Sequence, residues 1–391
     1  MSAVLAPADE GALAAAIADA HAAREPLAVE GNGSKRGLLR PVQAARTLST
    51  RGLTGITLYR PSELVISARA GTPVPEIEAA LAEKGQHLIA EPPDTRALFG
   101  TEAPATLGGI VAANLSGPRR IAWGAMRDHV LGIRFVNGTG EVIRSGGRVL
   151  KNVTGLDLCK LLAGSYGTLG VMTEITLKVL PAPEAQATIV VGVPDAAAGV
   201  RALSAGLGSP YGVSGAALLD GPDGMQALLR LEDFAPSVAY RAGRLVQEMA
   251  AYGGARIADA DESRGIWAAI RDGAPLAATE AEAIWRVSVR PSAGPGIMAA
   301  ARAAGGRAFL DWGGGLAWIA GPATEQAHDA IAAAARAAGG TFTLFRGPEA
   351  LRAAVAVLPE EPPPLAALAR RVKAALDPAG ILNPGRMRAG G

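Results

Sequence analysis

Gly31-Asn32-Gly33-Ser34-Lys35-Arg36-Gly37 follows a predicted strand, Leu27–Glu30, and sets small residues beside two cations. Successive amides in such a turn form a concavity that takes an anion, and Lys35 and Arg36 add charge. Arg36 stands where a dinucleotide fingerprint needs its third glycine, and the Walker phosphate-loop spacing is not met. Alone, the stretch reads more simply as a strand-exit turn. Thr106-Leu107-Gly108-Gly109-Ile110 is stronger, because it opens a helix-like run toward Asn114, Ser116 and Gly117. Paired glycines at a helix start let backbone N–H groups approach a phosphate. In an alanine-rich chain they need a reason, since glycine there costs stability. Gly164-Ser165-Tyr166-Gly167-Thr168-Leu169-Gly170-Val171 carries three glycines in seven residues between a helix and a strand, suited to main chain against an adenine or ribose.

Arg286 and Arg290 are the candidate carboxylate clamps. Four residues apart on a strand, they would share a face, and either guanidinium can hold a carboxylate bidentately. A solvated sheet face explains them equally well. No base is visible. His21, His87, His129 and His328 are scattered without metal-ligand spacing, and His328 reads as a surface residue on a polar helix face. Cys159, the lone cysteine, excludes an internal disulfide and reads as core.

The elements that must position these residues fall into two groups. Up to residue 180 the pattern gives a helix at 11–24, strands at 27–30 and 64–70, and a helix at 75–84. A hairpin at 129–143 turns on Asn137-Gly138-Thr139-Gly140, followed by a helix at 156–163 and a strand at 170–179. Leu180-Pro181-Ala182-Pro183 marks a domain boundary. Beyond it, strands and helices recur with hairpins, predicting an antiparallel sheet with helices on one face. A last helix, 364–376, leads into Gly380-Ile381-Leu382-Asn383-Pro384-Gly385-Arg386.

The 391 residues are enough for two or three domains, and 49% hydrophobic content excludes a disordered chain. A net charge of +2, without a basic run, gives no footprint for nucleic acid. Asp9, Glu10 and Asp19 interrupt the N-terminal stretch, so no signal peptide is expected, and no apolar run is long enough to span a bilayer.

Taken in order, GNGSK, ATLGGIVAANLSG, WGAMRDHVLGIRFV, GEVIRSGG, KNVTGLDLCKLLAGSYGTLGVMTEITLKV and the closing LDPAGILNPGR resemble the FAD-binding family of the vanillyl-alcohol oxidase and p-cresol methylhydroxylase type. IWRVSVR and FLDWGGGLAWI point, within it, to the E-subunit group of glycolate oxidases. The resemblance implies an α+β protein: a two-part FAD-binding domain over 1–183, an antiparallel cap over 184–362, and a segment, 363–391, returning to the flavin domain. It implies FAD, with Gly31, Asn32, Gly33, Ser34 and Lys35 as the pyrophosphate loop. Thr106, Gly108, Gly109, Asn114 and Ser116 would line pyrophosphate and flavin, Gly170 and Val171 the adenosine end, and Asn383 the isoalloxazine. Covalent members carry a linking histidine that GNGSKRG lacks, so non-covalent FAD is expected. The implied partners are a catalytic flavin subunit and an iron–sulfur subunit of glycolate oxidase, in the cytoplasm or peripherally on the inner face of the cell membrane. The implied activity is oxidation of glycolate or a related 2-hydroxy acid, with catalysis shared with a partner. A self-sufficient D-lactate-type dehydrogenase and a flavin-free assembly module are the alternatives.

Overall fold

A computed structural model describes residues 3–147 and 156–390. Asp9 caps the first helix, Glu10–Ala23, by accepting the Ala12 N–H at 2.8 Å. Leu13, Ile17 and Ala20 fall on one side of it and are buried. They pack against Leu27, Leu48, Val136 and Val171, and against Ile381 and Leu382 from the far end of the chain. Burying each large side chain contributes about 1.5–3 kcal/mol. The C-terminal segment is thereby fixed beside the first strands.

Three short strands, β1 (Ala3–Leu5), β2 (Leu27–Glu30) and β3 (Arg46–Ser49), form a parallel sheet in the order β1-β3-β2. Of these, only β2 is among the strands expected from the sequence. Next come β4 (Ile56–Arg60), β5 (Val65–Arg69), β6 (Gln86–His87), β7 (Val130–Val136), β8 (Val142–Gly146), β9 (Val171–Lys178) and β10 (Leu180–Pro181). Five of them make an antiparallel sheet, β4-β5-β9-β7-β8, while β6 pairs with β10 at the expected boundary. At the hairpin tip, Asn137 Oδ1 accepts the N–H groups of Thr139 and Glu141. Residues 151–155 of the KNVTG motif lie outside the described residues.

The remaining strands are β11 (Ala185–Val193), β12 (Gly215–Gly221), β13 (Gly224–Asp233), β14 (Ala255–Ala258), β15 (Glu282–Ser288), β16 (Arg307–Asp311), β17 (Leu316–Pro322) and β18 (Thr341–Arg346). They form one antiparallel sheet in the order β14-β11-β13-β12-β16-β17-β15-β18. Its two faces differ sharply. On the apolar face, Gly199 and Gly206 let helix Ala196–Gly208 press directly on Leu218 and Leu229. Helices Ala235–Met249, Gly294–Ala303 and Glu325–Ala337 also pack on the sheet. Pairing and alternation put Arg230, Phe309, Asp311, Trp318 and Arg286 together on the opposite face. That polar, aromatic face meets the first half of the chain: Arg230 reaches Glu91, Trp312 reaches Gly117, and Phe345 packs on Phe99 at 5.4 Å.

Candidate functional site

A cleft of about 600 Å³ opens between the parallel strands, the two glycine loops and the C-terminal segment. Gly31, Asn32, Gly33, Ser34, Lys35, Thr106, Gly109 and Asn383 line it. The two loops are fastened together. Asn32 Nδ2 donates to the Pro104 carbonyl at 3.1 Å, and Ser49 Oγ donates to the Gly31 carbonyl at 2.6 Å. A Cβ on Gly31 would fall 2.2 Å from Thr106 Oγ1, so only glycine allows this approach. Thr106 caps helix Leu107–Ala112 by accepting the Gly109 N–H at 3.3 Å.

Lys35 is the central cation. Its Nζ donates to Ser34 Oγ at 3.2 Å and has no carboxylate within ion-pair reach among the described residues. Burial, and then repulsion from Arg386, pull its pKa down to about 8. Arg386 donates to the carbonyls of Lys35 and Arg40, and Arg352 to that of Leu39. Burial, followed by the charge of Arg352, lowers Arg386 to about 10. Three cations thus converge on one cleft with too little negative charge around them, a setting that calls for an anion. Arg36 does not contribute, because Glu30 pairs with it at 2.6 Å. Arg352 and Arg386 escaped the sequence reading; the only hint was the closing NPGR.

Five expected residues stand outside the cleft lining. Gly108 packs on Ala70, where a Cβ would come within 2.8 Å. Asn114 Oδ1 accepts the Arg127 N–H, and the buried Ser116 Oγ accepts that of Met126. Gly170 lies against the Phe135 ring, and Val171 pairs with Val136 within the sheet. Asn383 lines the cleft but spends its amide on structure: Oδ1 accepts the Val29 N–H at 2.7 Å, and Nδ2 donates to the Tyr166 carbonyl at 2.8 Å.

Tyr166 lines the cleft; burial raises its pKa, while the charge of Arg286 on β15 pulls the other way. Arg286 is enclosed by aromatic rings, with its guanidinium carbon 4.7 Å from the centre of Trp318, 5.4 Å from Trp312 and 5.8 Å from Phe345. It makes no ion pair among the described residues, and its buried Nε has no partner. Burial lowers it to about 10. Arg120 stacks on Trp312 at 4.2 Å. Arg290 is exposed and lies two residues past the end of β15, so the two arginines do not share a strand face as expected. His328 is a second correction. It is 3% exposed, and its Nδ1 accepts the Trp285 indole N–H at 3.1 Å. Its helix buries Ala327, His328, Ile331, Ala332 and Ala335 together. Cys159 is buried, as read.

Residues 1–146 match the FAD binding domain family, and residues 352–387 match the C-terminal domain of FAD linked oxidases. The chain is 37% identical over 369 residues to glycolate oxidase subunit GlcE of Escherichia coli (strain K12), covering 94% of this chain and 93% of that one. The chain belongs to the GlcE family. Within this family of FAD-linked oxidoreductases the cofactor is FAD, and the cation-lined cleft between glycine loops fits its pyrophosphate. Glycolate oxidase subunit GlcD of Bacillus subtilis (strain 168) is 30% identical over 188 residues, 48% of this chain and 38% of that one. The fold is that of p-cresol methylhydroxylase, with a TM-score of 0.73 at 14% identity over 98% of this chain and 88% of that one. Alkyldihydroxyacetonephosphate synthase gives the same TM-score at 17% identity, over 97% and 76%. No helix among the described residues is long and apolar enough to cross a membrane.

Proposed function

We propose that this chain is the FAD-binding subunit of a glycolate oxidase complex and takes part in oxidising a 2-hydroxy acid to the 2-oxo acid. The observation that carries the substrate class is Arg286, a guanidinium ringed by Trp312, Trp318 and Phe345 with no counter-ion among the described residues, and electrostatically coupled to the Tyr166 that lines the FAD cleft. An unpaired arginine set among aromatic rings is a site for a carboxylate. Bound FAD supplies the two-electron acceptor.

In this reading Gly31, Asn32, Gly33, Ser34, Thr106 and Gly109 surround the pyrophosphate, Lys35 and Arg386 neutralise it, and the ring system extends past Ala112 and Ala113 toward Tyr166. Among the described residues that line the cleft there is no histidine or cysteine, which supports non-covalent attachment. The names GlcE and GlcD support a multi-subunit assembly; in this reading the partners are a catalytic flavin subunit and an iron–sulfur subunit.

Co-expression with those subunits, purification, and flavin quantification per chain test the reading. One FAD per copy of this chain, reduced anaerobically by glycolate in the assembled complex, is expected. A complex in which only the partner's flavin is present would refute it. A second reading, turnover by this chain alone, is favoured by one observation: a carboxylate clamp and a buried acid, Asp311, share a sheet face here. Glycolate- or D-lactate-dependent dye reduction by the purified chain decides between the two.

A further inference from the structure

Asp311 ends β16, is 2% exposed, and makes no ion pair among the described residues. Its Oδ1 accepts the Trp312 N–H at 2.7 Å. Trp318 pairs with both Phe309 and Arg286, while Leu316 pairs with both Asp311 and Ser288. Asp311 and Arg286 therefore point to one side, with β17 between their strands. Strands two apart are separated by roughly 10 Å, a span that the long arginine stem and the carboxylate-to-hydroxyl reach of a 2-hydroxy acid together cover.

The charged groups around Asp311 are Glu91, Arg230 and Arg286. Arg230 is already taken by Glu91 and Glu232, and Arg286 is free. Burial dominates, raising the Asp311 carboxyl to about 7, while the Trp312 amide and the two arginines pull it down and Glu91 pushes it up. The turn that follows is strained. Trp312, Gly313 and Gly314 all have positive φ, at 53°, 68° and 100°. A bulky residue there is an outlier, and such strain collects at functional sites. Here it holds the indole over Arg286 while Trp312 Nε1 donates to the Gly117 carbonyl of the flavin-binding half.

We infer that Asp311 accepts the hydroxyl proton of a 2-hydroxy acid whose carboxylate lies on Arg286. This rests on the substrate class proposed above. The O–H bond breaks and its proton passes to an Asp311 carboxylate oxygen. The C2–H bond breaks as hydride, with its electron pair going to bound FAD, and C2 and the hydroxyl oxygen become the carbonyl of the 2-oxo acid. A base near neutrality suits both taking and releasing that proton.

Oxalate, a dianion that cannot be oxidised in this way, is the probe, used with the FAD-loaded complex and read by the change in flavin absorbance. In the wild type, oxalate binding weakens about tenfold or more as pH rises through about 7, because ionised Asp311 repels it. Asp311→Asn binds oxalate with no such pH response. Flavin reduction by glycolate moves the opposite way: it rises through the same range in the wild type and falls about 10²–10⁴-fold in Asp311→Asn. Oxalate binding that depends on Arg286 but ignores pH would sink Asp311 alone, as would a variant that reduces its flavin at the wild-type rate. If Asp311→Asn does not take up FAD, the wild-type oxalate titration decides. Failure of the wild type both to bind oxalate and to reduce its flavin with glycolate or D-lactate would remove the substrate reading, and the role of Asp311 with it.

Discussion

Arg230 donates to both carboxylate oxygens of Glu91, at 2.8 and 2.9 Å, and so ties the large sheet to the flavin-binding half. The reciprocal pair joins Arg119 of the flavin-binding half to Glu232 of the sheet, which also accepts from Ser214 Oγ at 2.6 Å and lies 3.2 Å from Arg230 Nε. Arg119 also donates to His87 Nδ1 at 2.7 Å. Burial, then the Arg119 charge, lowers His87 to about 4, so it serves as a neutral acceptor. Each arginine is thus held by a glutamate from the other half. Arg230 is 1% exposed, so removing Glu91 takes away its bidentate partner and leaves a desolvated charge with only Glu232, 3.2 Å from its Nε. Glu91→Ala is expected to destabilise the protein by about 3–5 kcal/mol, with the apolar double variant Arg230→Met/Glu91→Leu regaining much of that. Chemical denaturation at saturating FAD measures both. An equally unstable double variant would mean that the loss comes from packing and not from the stranded charge.

Gly109 sits where a Cβ would lie 3.5 Å from Lys35 Nζ and 3.2 Å from Thr106 Oγ1. In Gly109→Asp, the new carboxylate meets Lys35 and takes the place of the phosphate. Loss of FAD is expected with the fold retained, measured as flavin per chain beside the circular dichroism spectrum. Normal flavin content in that variant would contradict the placement of the pyrophosphate.

How far the sequence could be read depended on the range of the interactions. The loops at Gly31 and Thr106 were legible because a tight backbone approach leaves its mark on consecutive residues. Arg386 was not, since its contact with the Lys35 carbonyl spans 351 positions and nothing local encodes it. His328 misled because Gln326 and Asp329 flank it, although Ile331 and Ala335 at helical spacing mark its true face. The glycines at 164, 167 and 170 suggested a ligand, yet each has a packing reason. Gly164 and Gly167 adopt φ of 88° and 73°, and Gly170 gives way to Phe135. Asp311 was hidden in plain text: the glycines after Trp312 signal a turn, but only the register of β15, β16 and β17 sets its carboxyl on the same sheet face as Arg286.

Lys35 makes FAD binding depend on pH. Its pKa of about 8 without a phosphate must rise when two negative charges arrive, so binding above that pH takes up a proton. FAD affinity in the wild type is expected to fall above about pH 8, by at most about tenfold per pH unit. Lys35→Met binds more weakly throughout but loses this dependence. Titrations of apoprotein with FAD across that range test it, and parallel curves for the two proteins would show that Lys35 is not the linked group.

Asp311 also predicts how stability responds to pH. Its folded pKa, about 7, lies above the ordinary carboxylate value, so the native state holds this proton more tightly than the unfolded chain does. The advantage is complete at acid pH, below the unfolded value near 4. It is lost as pH rises toward and through 7, where folding must either leave the carboxyl protonated or bury a charge. Asp311→Asn removes that penalty and keeps an amide oxygen to accept the Trp312 N–H. The variant should gain on the order of a few kcal/mol relative to the wild type between about pH 5 and about pH 8, with the gain largest at the alkaline end. Denaturant midpoints for both proteins at the two pH values supply the comparison. A difference between them that does not change with pH would mean that Asp311 titrates like an exposed carboxylate, its burial offset by the positive charge of Arg230 and Arg286.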